Sequence, residues 1–418
     1  MWKWMAAVTA AAMVAAPAVA RDPQQTAEAA LKAAPVWDGH NDVPEQLRNR
    51  RAGVLGDFDF RDTNNTADPA NNRKAMHTDI ARLRKGHLGA QFWSVYVDAS
   101  LTEQQQVQAV LEQVDITRRL IARYPQDLAF ATTSAEVERA MKQGKIASLL
   151  GMEGGGGIGN SLGVLREMYG LGVRYMTLTH SADLSWADSA HGTGKAGGLS
   201  LFGRDVVREM QRLGMLVDLA HVSEATMSDA LDVAKAPVIF SHSGARAINP
   251  HPRNVPDSVL DRVKANGGIV MVYTVPEYVS VRVREWQLQR AAQEARLKAE
   301  NTGNPDAASK ALTDWEAANP APRATVAEVA DHIDHIAKRI GVDHVGIGAD
   351  FDGMPWTVEG LDDVSTYPAL FAELARRGYS QADLEKISSR NMMRVMRAAE
   401  AYAASVKTRA PIENKVAF

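Results

Sequence analysis

Short apolar runs rich in β-branched and aromatic residues recur along the chain, separated by longer stretches of helical patterning. The runs fall at 36–39 (VWDG), 91–97 (QFWSVYV), 146–151 (IASLLG), 174–178 (RYMTL), 215–219 (MLVDL), 237–241 (PVIFS), 268–273 (GIVMVY) and 344–348 (HVGIG), and each predicts a strand. Between them, stretches such as 103–123, 161–171, 200–213 and 223–233 carry apolar residues at helical spacing. Strands alternating with helices in this number predict a (β/α)8 barrel. A doubly wound open sheet is the competing topology, because alternation alone does not close a sheet.

The residues just past the ends of these runs favour the barrel. Glu153 comes just after 146–151, His180 after 174–178, His221 after 215–219, His242 after 237–241, and Asp350 after 344–348. The first run leads into His40 and Asp42. In a closed barrel the carboxyl ends of all strands form one rim, so residues hundreds of positions apart can meet there. Residues i and i+2 of a strand face the same side, which lets His40 and Asp42 converge while Asn41 faces away. Taken alone, 36–47 has a second reading, a polar turn in which Asp42 starts the next helix ahead of Pro44. Together, the rim histidines and carboxylates point to a metal centre. His77, His87, His191, His332 and His335 lack this placement and are read as surface or helix residues. Glycines 154–157 would let backbone and substrate approach closely, or form a flexible surface loop. They are no phosphate loop, since the GxxxxGK pattern is missing.

Composition narrows the chemistry. The chain has 418 residues, 45% hydrophobic and 23% charged, enough for one large domain or two ordinary ones. Lys and Arg number 47 against 50 Asp and Glu, so no positive excess advertises nucleic acid or an anionic membrane. The absence of cysteine rules out disulfides, thiolate zinc sites and a cysteine nucleophile. Any metal must then be held by His, Asp and Glu, a set that fits zinc, with manganese or cobalt as alternatives. Residues 1–20, with Lys3, an uncharged run from Met5 to Ala20 and a small-x-small end, read as a secretory signal peptide. That predicts a periplasmic or secreted protein with one domain over 21–418; the alternative is a retained anchor, for which the run is short. Residues 281–322 are Ala-rich and charged, longer than a barrel connection needs, and read as a helical insertion. It is expected to be solvated or to form a homodimer, or else to act as a lid. The tail 403–418 has no clear periodicity.

Seven stretches carry a resemblance: DGHND (38–42), GMEGG (151–155), LTHSADLSWADSA (178–190), VDLAHVSEATM (217–227), VIFSHSGARAI (238–248), HPRNVPD (251–257) and GIGADFDG (346–353). In order and spacing they resemble the membrane, or renal, dipeptidase family of the amidohydrolase superfamily. The resemblance implies a barrel with two zinc ions, one held by His40, Asp42 and Asp350, the other by His221 and His242, with Glu153 bridging them. A shared carboxylate is what two dications about 3.5–4 Å apart require, and a water between them loses a proton near neutral pH and becomes the nucleophile. The resemblance further implies that Asp350 passes the proton to the leaving amine, that His180 stabilises the oxyanion, and that Arg253 clamps the substrate's free carboxylate. Without it, Arg253 reads as an ordinary loop salt bridge. Asp352 reads as structural and Tyr273 as a pocket contact. The expectation is a binuclear zinc dipeptidase working through a metal-bridging hydroxide. The alternatives are another amidohydrolase, such as an esterase or lactonase, and a non-catalytic periplasmic dipeptide-binding protein.

Overall fold

The structure is a computed structural model that describes residues 22–413 apart from Asn72; the signal peptide expected at 1–20 lies outside the described residues. Each predicted run overlaps a strand: β1 (Val36–Asn41), β2 (Leu88–Tyr96), β4 (Ile146–Glu153), β5 (Val173–Thr177), β6 (Leu216–Asp218), β7 (Ile239–Ser243), β8 (Ile269–Val272) and β9 (Val345–Ile347). One further strand, β3 (Leu128–Phe130), carries too few residues to show a period. All ladders are parallel, in the order β2-β1-β9-β8-β7-β6-β5-β4-β3. A pairing of β2 with β4, from Ala90↔Ala147 to Tyr96↔Glu153, closes the sheet into a barrel, so the open alternative is set aside. β3 stands outside the ring, pairing with Ile146 to Ser148 on β4, while β5 takes Leu150 to Glu153.

Strands packed by helices outside and side chains inside are buried on both faces, and β4 and β7 are buried at every position. Trp37, Phe92, Tyr175, Ile239 and Met271 belong to one core cluster, onto which Met392, Val395 and Met396 of the helix Asn391–Ser405 pack. Gly151 makes room for the Tyr175 ring: a Cβ there would stand 2.0 Å from Tyr175 Cζ. The expected helices run Glu103–Arg123, Leu162–Gly170, Leu201–Leu213 and Glu224–Val233. The first begins with a capping box, in which Thr102 and Gln105 satisfy each other's backbone N–H. Within 281–322 lie two helices, Val281–Glu300 and Pro305–Ala318, tied together by Arg290 to Glu316 (2.6 Å) and by Trp286 Nε1 donating to Asn319 O (2.8 Å). Among the described residues no helix is long and apolar enough to cross a membrane.

Two seams of the barrel are thin. β1 meets β9 in one ladder pair, Asp38↔Ile347, before the bridge Asn41↔Phe351 beyond β9 takes up the pairing, and β6 meets β7 in one, Asp218↔Ile239. At each, a buried aspartate replaces missing ladder bonds. Asp38 accepts from the N–H of His40 (2.8 Å) and of Ala349 across the seam (3.2 Å), and from the Tyr367 hydroxyl. Asp218 accepts from the N–H of Ala220 (3.1 Å) and of Ser241 across its seam (2.8 Å).

Candidate metal centre and its cavity

Above these two seams the predicted ligands come together. His40 Nε2 lies 3.3 Å from Asp42 Oδ2, 3.3 Å from Glu153 Oε2 and 4.0 Å from Asp350 Oδ1. On the other side of Glu153, Oε1 is 2.9 Å from His221 Nε2 and 3.4 Å from His242 Nε2, and the two imidazole nitrogens are 2.8 Å apart. A tetrahedral ion with ligands at about 2.0–2.1 Å holds them roughly 3.3 Å from one another, and these spacings bracket that value. His40 Nε2 is buried without a hydrogen-bond partner although it faces three carboxylates. Asp42 occupies the N-cap of the helix Val43–Arg51, yet its side chain makes no capping bond and turns to His40 instead. The backbone thus starts a helix at Asp42, as one reading of 36–47 has it, while the carboxylate is left free of capping and faces His40. Asn41 faces away, donating to Thr78 Oγ1 (2.9 Å). His221 (φ 64°) and Asp350 (φ 70°) sit in the left-handed region, a strained conformation for residues with a Cβ that concentrates at functional sites.

A second layer aims the rings. His40 Nδ1 is 2.8 Å from the Tyr175 hydroxyl. His242 Nδ1 is 2.8 Å from Ser241 Oγ, which donates to Asp218 (2.6 Å), and Thr177 Oγ1 donates to the same carboxylate oxygen (2.5 Å). Ser94 Oγ donates to Glu153 Oε2 (3.1 Å). With Nδ1 of His40 and of His242 occupied, their Nε2 atoms are turned to the shared point, as partners behind metal-binding histidines do, whereas His221 Nδ1 is buried without a partner. Electrostatics agree. Burial pushes His221 and His242 well below the usual imidazole range, so both present lone pairs. Burial works to raise Glu153, but His40 and hydrogen bonds from His221 and His242 hold it well below the usual carboxylate range. Burial, opposed by His40 and reinforced by Asp42 and Glu153, pushes Asp350 well up. Burial works to lower His40, but Tyr175, Glu153 and Asp42 hold it well above the usual imidazole range, so it is the ring on which the crowded carboxylates keep a positive charge. Crowded carboxylates beside the neutral imidazoles of His221 and His242 make a donor set that fits dications of the zinc type.

A cavity of about 290 Å³ stands over this cluster, walled by Glu45, Tyr96, His180, Arg253 and Tyr278 together with the ligand-type residues. Arg253 is 1% exposed, with Nε and Nη1 unpartnered and Nη2 3.4 Å from His242 O. Its guanidinium lies 5.8 and 5.7 Å from the Tyr273 and Tyr278 ring centroids. The loop salt bridge is absent among the described residues. Tyr273 stands behind Arg253, its hydroxyl donating to Asn254 Oδ1 (2.6 Å), and Tyr278 rather than Tyr273 reaches the cavity. His180 lies in the wall, its Nε2 4.0 Å from Glu153 Oε1 and its ring against Tyr96 and His221 (centroids 4.5 and 4.3 Å). Burial, helped by Arg253, lowers its pKa. Asp352 is turned away: His77 N donates to Oδ1 (2.8 Å) and Asp352 N donates to His77 Nδ1 (3.1 Å), a latch between loops. The turn Gly155–Ile158 is buried, not a surface loop. Glu45 and Tyr278 escape a reading by strand ends, since neither directly follows a run; Glu45 lies one helical turn beyond Asp42, which is the signal that could have found it, and Tyr96, inside the run 91–97, closes β2 and lies within reach of a strand-end reading.

Residues 24–410 match the membrane dipeptidase family, peptidase family M19. Dipeptidase verJ of Clonostachys rogersoniana is 40% identical over 384 residues, covering 89% of this chain and 86% of that protein. Among solved structures, the probable dipeptidase PvdM from Pseudomonas aeruginosa superposes with a TM-score of 0.76 at 22% identity, over 91% of this chain and 99% of that one. A metallopeptidase from Rhodobacter sphaeroides, liganded with a phosphinate mimic of the dipeptide L-Ala-D-Ala, does so with a TM-score of 0.69 at 22% identity, over 88% and 99%. At these identities the two structures speak for the barrel fold, while the family rests on the sequence matches. The chain belongs to the membrane dipeptidase family, and is thus a metal-dependent hydrolase.

Proposed function

We propose that this protein is a binuclear zinc dipeptidase that cleaves dipeptides bearing a free C-terminal carboxylate. One observation carries the reading: the Glu153 carboxylate is approached from both sides, Oε2 by His40 and Oε1 by His221 and His242. His40, Asp42 and Asp350 would hold one ion, His221 and His242 the other, with one Glu153 oxygen for each. When bound, two such ions supply Lewis acidity and an activated water near neutral pH.

The chain's own residues do the rest. Arg253, buried with two unpartnered nitrogens, takes the substrate carboxylate in the forked geometry that suits a guanidinium. Tyr273 and Tyr278 hold its plane. His180, kept neutral by burial, donates an N–H to the oxyanion. Asp350, 15% exposed toward the cavity, carries the proton from the attacking water to the leaving amine. The test is chelation followed by reconstitution, with metal content measured beside release of free amino acids from a dipeptide panel. About two zinc ions per chain should restore hydrolysis. Full turnover in verified metal-free protein, or saturation at one ion, would sink the binuclear reading. Turnover of esters or lactones with dipeptides untouched would move the substrate class to the broader amidohydrolases.

A further inference from the structure

A second cavity, of about 530 Å³, lies between the helices at 281–318 and the loop after Gly353. Val275, Glu277, Met354 and Pro355 line both this cavity and the one over the metal centre, so the two share a wall. Its own lining is aromatic at the centre: Trp286 and Trp356 face one another with centroids 5.8 Å apart. Trp286 is held in place by its bond to Asn319 O (2.8 Å) and by Trp315 behind it (6.1 Å). The charged groups Arg290 and Glu316 satisfy each other at 2.6 Å, which leaves the pocket without a net charge of their making. Trp356 remains 37% exposed, among the few large apolar side chains so placed.

We propose that this cavity is a subsite for a large apolar side chain, an aromatic one by preference, on the C-terminal residue of the dipeptide. The proposal rests on the dipeptidase reading. The end of the substrate is set by where the cavities join. Val275 and Glu277 lead directly into Tyr278, whose ring faces the Arg253 guanidinium, and Met354 and Pro355 continue the loop from Asp350. Glu45 and Tyr96 belong to the metal-centre cavity alone. A residue whose carboxylate sits on Arg253 therefore has its side chain beside the shared wall. The volume falls within the range of small-molecule sites, and rigid tryptophan walls bury an aromatic group with little ordering. The 281–322 insertion thus becomes a selector of substrates, not merely a solvated excursion.

The test compares zinc-loaded protein on Ala-Gly, Ala-Ala, Ala-Leu, Ala-Phe and Ala-Trp. The kcat/KM for Ala-Phe should exceed that for Ala-Gly by roughly 10- to 100-fold, the discrimination expected of an apolar pocket. Trp356→Ala should bring Ala-Phe down toward Ala-Gly while leaving Ala-Gly within about two-fold. Trp286 is nearly buried and its removal could unfold the insertion, so Ala321→Trp serves as the second variant, filling the cavity from its rim. It should depress Ala-Phe and spare Ala-Gly. A flat panel in the unaltered enzyme, or a preference that survives both variants, overturns the subsite. So does a Trp356→Ala change in oligomeric mass with the preference intact, which would give the face to a second copy of the chain. No hydrolysis of any dipeptide removes the dipeptidase reading and the subsite with it, whereas hydrolysis indifferent to the C-terminal side chain removes the subsite alone.

Discussion

Arg253 is a buried cation whose Nε and Nη1 find no partner among the described residues. Such a charge is costly to bury unless a ligand answers it. A dipeptide amidated at its C-terminus should therefore lose about 1.5–3 kcal/mol in kcat/KM relative to the free acid, the worth of a charge-assisted hydrogen bond. Arg253→Ala should barely distinguish the two, and Arg253→Lys should recover only part, because an ammonium keeps the charge without the fork. Equal turnover of acid and amide by the unaltered enzyme would show that Arg253 does not read the carboxylate.

At the scale of elements, the loop after β9 is shaped by Gly353. A Cβ there would stand 2.3 Å from Asp42 Oδ2 and 2.5 Å from Asp350 Oδ1, wedging apart two carboxylates proposed to hold one ion together. Gly353→Ala should keep the circular dichroism of the barrel and weaken metal binding roughly 10- to 100-fold, as loss of a ligand's support does. Unchanged zinc affinity would mean that Asp42 and Asp350 need not meet. The same scale explains what sequence makes legible. His40, Glu153, His221, His242 and Asp350 stand out because a barrel gathers all carboxyl strand ends on one rim. Tyr175, Ser241 and Asp218 do not, although all three lie in predicted strands. Their roles depend on inward-facing register and on partners such as His40, 135 positions from Tyr175, that no local period encodes. Tyr273 misleads for the same reason, since ending a strand does not decide whether a ring lines a cavity or backs its lining. β3 escapes because a three-residue strand has no period to find.

Across the whole molecule, one titration ties fold to pH. His332 is fully buried on the helix Val326–Ile340, accepts at Nδ1 from Ala245 N (2.8 Å) and has Nε2 3.1 Å from Val279 O. It thereby joins the loop after β7 to the segment after β8. A second proton would have to sit on Nδ1, facing the Ala245 N–H. Burial pushes this imidazole from 6.5 down to about 4. As pH falls, the unfolded chain takes up the proton first, so the contribution is full above 6.5 and is lost as pH drops toward 4. The whole step is worth about 3 kcal/mol, from 1.36 kcal/mol per pKa unit. Urea midpoints should decline over that window, and His332→Gln should show a lower midpoint at neutral pH but a flatter decline. An equally steep decline in the variant would place the titration elsewhere.

The aspartates that bridge the two thin seams have a spectroscopic consequence. The amides of His40 and Ala349 are bound to Asp38, and those of Ala220 and Ser241 to Asp218, so their protection depends on a side chain instead of a ladder. Each pair flanks one half of the proposed metal centre, and a local opening that parts a seam must free its own pair first. Hydrogen exchange at these four amides should thus work as two separate gauges. Asp38→Ala should speed exchange at His40 and Ala349 and leave Ala220 and Ser241 slow, with Asp218→Ala giving the converse. If either substitution loosens all four together, the rim opens as one body and the two halves of the centre share a single lifetime.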